Sequence, residues 1–334
     1  MISKKARSIL ILSVCLVCAA SAPAFSASSP TKVVIAYSSL NERGSGALLV
    51  ARDQGFFRKN DLDVHPIFVR SGAVALSALS AGEAQFYFGS ANGSVLGAMA
   101  GGLDAVFVAG LANKLNGTFV VAPAIQSPAD LKNKNIGIQS VGGGVWMITL
   151  LVLDHWGLDV KRDGINLRIV GDESVMAQSL MTGVIDATYA GYAYAAMLKR
   201  QGYRVLVPDL IQLGIPFQST GILARRSFIS SSPATVERVI RSLVEAITFL
   251  QKPANKPAVV ASLMQGLHIA RKEEAEEGYE IMKSVYERRI YPNVDGINNA
   301  IRLLGVGNEK IRQLRAENLV DASIVKKLEK QGLF

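Results

Sequence analysis

The chain has 334 residues, of which 49% are hydrophobic and 19% are charged, and its formal net charge is +9. This length and apolar content suffice for two ordinary domains. The basic residues form neither an arginine-rich run nor a stripe interleaved with aromatic residues. This argues against a nucleic-acid-binding protein and favours anionic solutes or a partner surface.

Residues 1–27 have the features of a secretory signal peptide. A basic region formed by Lys4, Lys5 and Arg7 is followed by an apolar run over 8–20 and by small residues suited to cleavage. The apolar run is shorter than the roughly 20 residues that a membrane-spanning helix needs. We therefore expect the signal to be cleaved and the mature chain to be soluble.

Both cysteines, Cys15 and Cys18, lie inside this signal. The mature chain is therefore expected to contain no thiol and no disulfide, although its destination is oxidising. Val14 and Val17 directly precede the cysteines, where a lipoprotein signal has small residues, which argues against a lipid anchor. Because an exported protein without an anchor is retained by an outer membrane, we expect the periplasm of a Gram-negative bacterium.

Short strands and helices alternate in the first part of the mature chain. The continuous apolar run KVVIAY over 32–37 is typical of a strand in a parallel sheet with helices on both faces. Pro66 cannot donate a hydrogen bond to a neighbouring strand, so the strand DVHPIFV is predicted near a sheet edge. The other predicted elements are a helix over 45–54, a helix from Ser71, a strand over 84–88, a helix over 92–100 and a strand over 105–110.

A second α/β unit begins near Ser127. A Ser cap, Pro128 at the first helical position and Asp130 in the first turn predict a helix start there. The predicted elements that follow are a strand at 136, helix 145–156, strand 165–170, a helix ending at 183, strand 186–189, helix 193–201, strands 203–207 and 219–224, and an almost entirely helical stretch over 233–334.

Three consecutive glycines, Gly142, Gly143 and Gly144, stand between the strand at Ile136 and the helix from Val145. Glycine lets a ligand approach main-chain N–H groups, and the N-terminus of a helix favours negative charge. A tight strand-to-helix turn with nothing bound explains the same pattern equally well. The Gly-Lys-Ser/Thr ending of a nucleotide-binding loop is absent, so ATP is not implied.

This order of elements fits two architectures. In one, two domains follow each other along the chain. In the other, the chain leaves a first lobe near 118–122, builds a second lobe and returns near 218–224. A separate helical C-terminal domain is a third arrangement, but helices that follow a returning strand more naturally cover the first sheet.

Three segments together resemble the exported solute-binding receptors of ABC importers of the nitrate, sulfonate and taurine type. They are LLVARDQGFFRKNDLDV, FVRSGAVALSALSAGEAQFYFGS, and SPADLKNKNIGIQ combined with MTGVIDATYAGYAY. None of these motifs is specific alone, whereas their order and spacing are. The resemblance runs from about Lys32 to Gly221 and is weaker beyond.

The resemblance implies an α/β fold of the type II periplasmic binding proteins. Such a protein has two lobes, each a mostly parallel sheet flanked by helices, joined by two hinge crossings. We expect the first lobe over 28–120 and 218–334 and the second lobe over 121–217.

The resemblance also implies capture rather than chemistry. We expect a monomeric periplasmic receptor that binds a small anionic solute, such as a nitrate-like, sulfonate-like or taurine-like solute or an aromatic acid. No cofactor or metal is expected. The implied partners are an inner-membrane ABC permease and its cytoplasmic ATPase.

An enzyme and a sensor receptor are the alternatives. A pyrimidine synthase of thiamine biosynthesis is similar to the same superfamily, but that enzyme type uses a cysteine-rich iron site, and the mature chain has no cysteine. The sequence has no Gly-x-Ser-x-Gly elbow, and His65, His155 and His268 lack metal-ligand spacing. A receptor that presents solute to a sensor would have the same sequence features.

Binding groups are expected where strands end and helices begin, on both lobes. Those in the first lobe are Ser38, Ser39, Leu40, Ser71, Gly72, Ser90, Ala91 and Asn92. Those in the second lobe are Gln139, Ser140, Gly142, Gly143, Gly144, Trp146, Asp186, Tyr189 and Tyr192.

Several of these residues have structural explanations as well. Ser71 and Asn92 fit the role of helix caps, Asp186 that of a turn residue, and Trp146 that of a core residue. Alternatively, Trp146 forms an aromatic wall with Tyr189, Tyr192 and Tyr194, which would favour a flat or apolar solute.

Arg43 and Arg70 flank two of the predicted loops. Each could neutralise a carboxylate or sulfonate through a bidentate contact. A solvated surface position explains each arginine as well.

Overall fold

A computed structural model describes residues 29–334, except the side chain of Ala193. The predicted signal peptide and its two cysteines lie outside the described residues. The strands are β1 (Thr31–Tyr37), β2 (Leu62–Phe68), β3 (Phe86–Gly89), β4 (Ala105–Lys114), β5 (Thr118–Val121), β6 (Asn135–Ile138), β7 (Asn166–Ile169), β8 (Ala187–Ala190), β9 (Arg204–Val207) and β10 (Pro216–Arg225).

The helices alternate with these strands and dominate the C-terminal third. They are α1 (Gly46–Asp53), α2 (Phe56–Lys59), α3 (Gly72–Ala81), α4 (Gly93–Ala100), α5 (Gly144–His155), α6 (Glu173–Met181), α7 (Tyr192–Arg200), α8 (Arg226–Ser231), α9 (Pro233–Leu250), α10 (Lys256–Leu267), α11 (Lys272–Val285), α12 (Val294–Gly305), α13 (Glu309–Arg312) and α14 (Ser323–Lys330).

The first sheet has five strands in the order β2-β1-β3-β10-β4. Strand β1 pairs in parallel with β2 and β3, and β10 runs antiparallel between β3 and β4. Val33 and Ile35 of β1 are buried, as the continuous apolar run predicts. Strand β2 lies at the edge, which confirms the prediction made from Pro66, because a missing N–H donor is tolerated there.

The second sheet repeats this order with five strands arranged β7-β6-β8-β5-β9. Strand β6 pairs in parallel with β7 and β8, and β5 runs antiparallel between β8 and β9. The first sheet with α1–α4 and α8–α14 is called the first lobe, and the second sheet with α5–α7 the second lobe. This is the two-lobed α/β fold that the sequence predicts.

The chain crosses between the lobes over 115–117 and again over 208–215. The two crossings are bonded to each other, since the N–H of Leu210 donates to the carbonyl of Gly117 at 2.8 Å. The predicted boundary after residue 120 assigned most of β5 to the first lobe, whereas its pairing places it in the second sheet. The predicted return at 218 falls inside β10, whose Pro216 already pairs with Lys114. The apolar run of β5 indicates a strand but not the sheet that it joins.

The C-terminal helices cover the first sheet and do not form a separate domain. Val236, Val239 and Ile240 of α9 are fully buried in one cluster with Val33 and Ile35 of β1. The burial of these apolar side chains fixes the helical stretch on the sheet.

The helix predicted from Ser127 is only a short 3₁₀ turn, Pro128–Leu131. The carboxylate of Asp130 accepts from the N–H of Ser127 at 2.9 Å and from its hydroxyl at 3.1 Å, so the two residues that predict the helix start bond to each other. The turn ends because Lys132 is extended and Asn133 has a φ of +60° in the left-handed region, which an α-helix cannot continue.

Gly110 lies where β4 and β10 pair irregularly. The side chain of Gln218 bridges this region, since its Nε2 donates to the carbonyl of Thr220 at 3.0 Å and its Oε1 accepts from the N–H of Asn293 at 2.7 Å. A Cβ on Gly110 would lie 2.5 Å from the carbonyl oxygen of Tyr291 and 2.8 Å from the Oε1 of Gln218. The close approach of backbone therefore requires glycine.

We predict that Gly110→Ala lowers the free energy of unfolding by about 1–3 kcal/mol, because the added methyl group is forced against neighbouring backbone. Urea unfolding measures this change. Gly307→Ala is the matched control, since no atom lies within 4 Å of its Cβ position. Equal unfolding midpoints for Gly110→Ala and wild type would contradict the close approach.

Candidate functional site

The two lobes face each other at the carboxyl ends of their parallel strands. In the first lobe β1, β2 and β3 lead into α1, α3 and α4, and in the second β6, β7 and β8 lead into α5, α6 and α7. The N-termini of these helices therefore lie along one cleft, where their N–H groups and dipoles favour negatively charged or oxygen-rich groups.

The ends of β1 and β3 are tied together by a hydrogen bond between the hydroxyls of Ser38 and Tyr87 at 2.7 Å. Tyr87 is fully buried, and a Cβ on Gly72 would lie 3.2 Å from its hydroxyl. The loops after β1 and β2 thus meet around one phenol. Leu40 next to them is an exposed apolar residue, 38% accessible.

Ser71 and Asn92 act as helix caps, which is the structural role that the sequence suggests for them. The N–H of Val74 donates to the Oγ of Ser71 at 3.5 Å, and the N–H of Val95 donates to the Oδ1 of Asn92 at 3.0 Å. The Nδ2 of Asn92 also donates to the Oγ of Ser90 at 3.1 Å. Capping places these side chains at the cleft and leaves few of their polar atoms free.

Helix α5 begins differently from its neighbours. Gly142 has a φ of +80°, a left-handed conformation that favours glycine. Among the described residues no side chain caps the N-terminus of α5, and only the N–H of Gly143 turns back, to the carbonyl of Ser140 at 3.3 Å. The first-turn N–H groups of Gly144, Val145 and Trp146 therefore form a donor set without a side-chain acceptor.

The glycine loop of the second lobe contacts α4 of the first lobe directly. The N–H and the hydroxyl of Ser94 both donate to the carbonyl of Gly142, at 3.0 and 3.3 Å. A Cβ on Gly93 would lie 3.0 Å from the Cα of Gly142 and 3.0 Å from the Trp146 ring. The lobes are closed at this point with no room for an additional methyl group.

Arg43 makes a second contact between the lobes and is 6% exposed. Its Nη2 is 3.1 Å from the Oε1 of Glu173 in the second lobe, and its Nη1 donates to the Oδ1 of Asn116 in the first crossing at 3.2 Å. Its Nε is 3.5 Å from the Oε1 of Glu42, and its guanidinium lies 5.1 Å from the centroid of the Tyr189 ring. One buried cation thus joins both lobes and a crossing.

The backbone of Arg43 is held in place from the first lobe. Its carbonyl accepts from the hydroxyl of Tyr286 at 2.8 Å and from the hydroxyl of Thr220 at 3.2 Å. The N–H of Ala47, in the first turn of α1, donates in turn to the Tyr286 hydroxyl at 3.2 Å. These bonds fix the loop after β1 relative to α1.

Two acidic side chains accept hydrogen bonds from backbone N–H groups at helix starts in the second lobe. The Oε2 of Glu173 accepts from the N–H of Gly191, directly before α7, at 2.9 Å. The Oδ1 of Asp172 caps α6 by accepting from the N–H of Ser174 at 3.1 Å. The hydroxyl of Tyr192 accepts from the N–H of Gly117 at 3.1 Å and donates to Asp209 at 2.8 Å, which ties α7 to both crossings.

Burial and neighbouring charges shift several pKa values in the cleft. Burial raises the pKa of the Glu42 carboxyl, and the Arg43 guanidinium opposes this shift. The hydroxyl of Ser174 and two backbone N–H groups lower the pKa of Asp172, with a contribution from Arg70 across the cleft. Burial also raises the pKa of the Tyr192 phenol. Arg43 and Arg70 therefore each face an acid at the start of α6.

Asp186 is a predicted site residue that the structure places away from the cleft. It directly precedes β8, and its carboxylate accepts from the backbone N–H of Asn135, at the start of β6, at 2.8 Å. The amino ends of parallel strands lie at the edge of the sheet opposite the cleft. This placement supports the turn explanation of Asp186 rather than contact with a solute.

The other predicted residues lie at or near the carboxyl ends of strands and stay candidates for solute contact. Ala91 and Tyr189 are buried, and Gln139 and Ser140 are exposed. The full set that the structure leaves along the cleft is Ser38, Ser39, Leu40, Ser71, Gly72, Ser90, Ala91, Asn92, Gln139, Ser140, Gly142, Gly143, Gly144, Trp146, Tyr189 and Tyr192.

Sequence reasoning missed Glu42, Asn116 and Glu173. Glu173 follows Asp172 directly after a predicted strand, so the rule that binding groups follow strands could have found it. Asn116 lies in a crossing, a place where the sequence carries no periodic signal. Within residues 29–334 no group of three or more His, Cys, Asp or Glu side chains is arranged to hold a metal ion.

Within residues 29–334, no helix has the length and apolar character needed to cross a bilayer.

The sequence model of a family described as NMT1/THI5 like matches residues 44–256. A Brucella abortus (strain 2308) protein named for binding is 24% identical over 214 residues, which cover 62% of this chain and 63% of that protein. A Haemophilus influenzae protein named for thiamine biosynthesis is 28% identical over 218 residues, covering 63% and 66%. The similarity thus spans somewhat less than two thirds of these relatives.

Solved structures of the same fold include binding proteins and an enzyme. The periplasmic aliphatic sulphonate binding protein of Escherichia coli has a TM-score of 0.71 at 20% identity, covering 88% of this chain and 92% of that one. The periplasmic nitrate-binding protein of Synechocystis PCC 6803 has a TM-score of 0.68 at 12% identity, covering 90% and 89%. A desulfurization enzyme has a TM-score of 0.60 at 15% identity, covering 90% and 99%. At these identities the likeness establishes the fold.

We predict that Gly93→Ala weakens the contact between the lobes, because its Cβ would lie 3.0 Å from the Cα of Gly142 and 3.0 Å from the Trp146 ring, so that one of them must shift. Urea unfolding should give a lower midpoint for this variant than for wild type. The matched control is Gly97→Ala on the same helix, whose Cβ position is open. A midpoint for Gly93→Ala equal to that of wild type would contradict the tight contact.

Proposed function

Because the chain belongs to the NMT1/THI5 like family, we propose that it is a periplasmic receptor that captures a small solute between its two lobes. It would deliver the solute to an ABC permease in the inner membrane and to the cytoplasmic ATPase that drives it. The periplasmic sulphonate-binding and nitrate-binding proteins that share the fold support this role.

The observation that carries the proposal is the uncapped start of α5 in a cleft closed by both lobes. Helix α5 offers first-turn N–H groups without a side-chain acceptor, whereas Ser71, Asn92 and Asp172 cap α3, α4 and α6. Backbone N–H groups at a helix start bind carboxylate, sulfonate and nitrate oxygens. Closure by hinge motion at the two crossings would bury a solute bound there.

An organic acid fits this cleft better than a bare inorganic anion. Trp146 lies in the first turn of α5, half-buried, next to the same N–H groups, and Leu40 is exposed on the opposite lobe. An aromatic ring beside a helix start provides apolar contact for the carbon skeleton of a solute whose oxygens meet N–H donors of the cleft. We therefore propose a sulfonate or carboxylate with an apolar or aromatic part.

Turnover on the same fold is the second candidate, since a desulfurization enzyme shares the fold. Both cysteines of the chain lie within residues 1–27, so the folded lobes carry no thiol nucleophile.

A receptor that presents its solute to a sensor is distinguished from a transport receptor by whether permease and ATPase genes lie beside its gene.

We predict that the protein without residues 1–27 is stabilised by one chemical class in a panel of small anions, aromatic acids and pyrimidines. A ligand at about a hundred times its dissociation constant adds roughly 2.7 kcal/mol of stability, which raises the melting temperature by several degrees. The same solute should make the protein more compact in scattering. Consumption of a panel member without any saturable stabilisation would favour the enzyme instead.

We also predict that solute binding changes the fluorescence of Trp146. The chain has two tryptophans, and Trp156 instead packs edge-on against Phe119 with ring centroids 5.3 Å apart. Trp156→Phe should keep the change in emission and Trp146→Phe should lose it. A full change in Trp146→Phe would place the solute elsewhere.

A further inference from the structure

The carboxylate of Glu173 is bound by the kind of donors that bind an oxyacid ligand. One of its oxygens is 3.1 Å from the Nη2 of Arg43 and the other accepts from the N–H of Gly191 at 2.9 Å. A guanidinium combined with a backbone N–H at the start of a helix is a typical binding site for a carboxylate or sulfonate. The occupant of this site is a side chain of the protein itself.

Two buried polar atoms, one on Arg43 and one on the tyrosine that packs under it, lack a hydrogen-bond partner among the described residues. They are the Nε of Arg43, on a side chain that is 8% exposed, and the hydroxyl of Tyr189, on a residue that is 2% exposed. Tyr189 packs under the Arg43 guanidinium. Because buried polar groups in folded proteins are nearly always paired, these two atoms mark capacity for a further acceptor.

The charges around Arg43 limit what that acceptor can be. Glu42 and Glu173 both lie within ion-pair distance of the guanidinium, at 3.5 and 3.1 Å. A third acidic group added beside them would be repelled by both carboxylates. An acidic solute can therefore reach Arg43 only by exchange with one of the two.

Glu173 is the carboxylate that is free to leave. It is the first residue of α6, and its side chain is 21% exposed. Turned towards solvent, it would stay beside the N-terminus of its own helix, where the helix dipole favours a negative charge. Glu42, by contrast, directly precedes Arg43 in the chain, and its backbone carbonyl accepts from the Tyr286 hydroxyl at 3.1 Å. Its backbone is therefore held beside the guanidinium.

We infer that the acid group of the solute displaces Glu173 from Arg43 and Gly191, so that Glu173 acts as an internal competitor for acidic ligands. This inference rests on the proposed receptor function and narrows its ligand class to organic oxyacids with a single negative head group. A neutral analogue cannot replace the Glu173 carboxylate, because it would leave the buried guanidinium with less compensating charge.

The test compares acids with their neutral amides in wild type and Glu173→Gln. The probes are butanesulfonate with butanesulfonamide and benzoate with benzamide, measured by titration calorimetry. Glu173→Gln should bind the acid of the recognised pair about tenfold more tightly than wild type, equivalent to about 1.4 kcal/mol. Its affinity for the matching amide should not change. Glu173→Ala serves as a second variant, with melting curves to verify that both fold.

Asp172→Asn is the matched control. It removes one negative charge from the adjacent position while keeping a residue that caps a helix well, and Asp172 makes no ion pair with Arg43. Its affinity for the acid should change by less than about twofold, since exposed charges are screened by salt. Arg43→Gln should bind the acid and the amide equally.

Weaker or unchanged acid binding in both Glu173 variants would overturn the exchange, because Glu173 would then only hold the lobes together. An equal gain in Asp172→Asn would also overturn it in favour of a general charge effect. If wild type and all variants fold but bind neither the acids nor the amides, and no solute compacts the protein, the receptor function fails together with this inference.

Discussion

The buried guanidinium of Arg43 is one of the contacts that hold the two lobes against each other. A charge removed from water is costly unless it is paired and hydrogen-bonded. Arg43 finds its partners in Glu173 of the second lobe and Asn116 of the first crossing. The lobes therefore cannot separate at this point without returning the charge to water or giving it another acceptor. The side chain best suited to bind an anion is also one that holds the cleft closed.

The helix starts around the cleft are alike in dipole but differ in what their N–H groups contact. Ser71, Asn92 and Asp172 cap α3, α4 and α6, and Glu173 bonds to the residue that precedes α7. Helix α5 begins after consecutive glycines, and neither α5 nor α7 has a side chain that caps its first-turn N–H groups. Caps therefore leave the starts of α5 and α7 as the open donor sets among these five helices, a choice that the dipoles alone would not make.

Local sequence patterns predicted much of the fold. The apolar run of β1, the proline of an edge strand and the alternation of strands and helices are encoded within a few residues of each other. The sheet that β5 joins was not predictable in this way, because it depends on pairing with β8 and β9. The same holds for the site. Arg43 and Glu173 are 130 positions apart in the chain, and only the folded structure shows that their side chains bind each other. Asp186 opens the predicted strand 186–189, so a rule limited to the carboxyl ends of strands would already have excluded it.

Net charge and local charge give different answers about this cleft. Without Lys4, Lys5 and Arg7 the chain still keeps six of its nine excess positive charges. Over distances beyond about 8 Å these are largely screened at physiological salt, so they can only raise the concentration of anions near the surface. Within the cleft, Arg43 and Arg70 face Glu42, Asp172 and Glu173, and positive charge is not in excess. An arginine buried without a counter-charge would hinder the lobes from meeting before a solute arrives. The acid that permits closure therefore also sets how tightly the acid group of a solute must bind Arg43 to take its place.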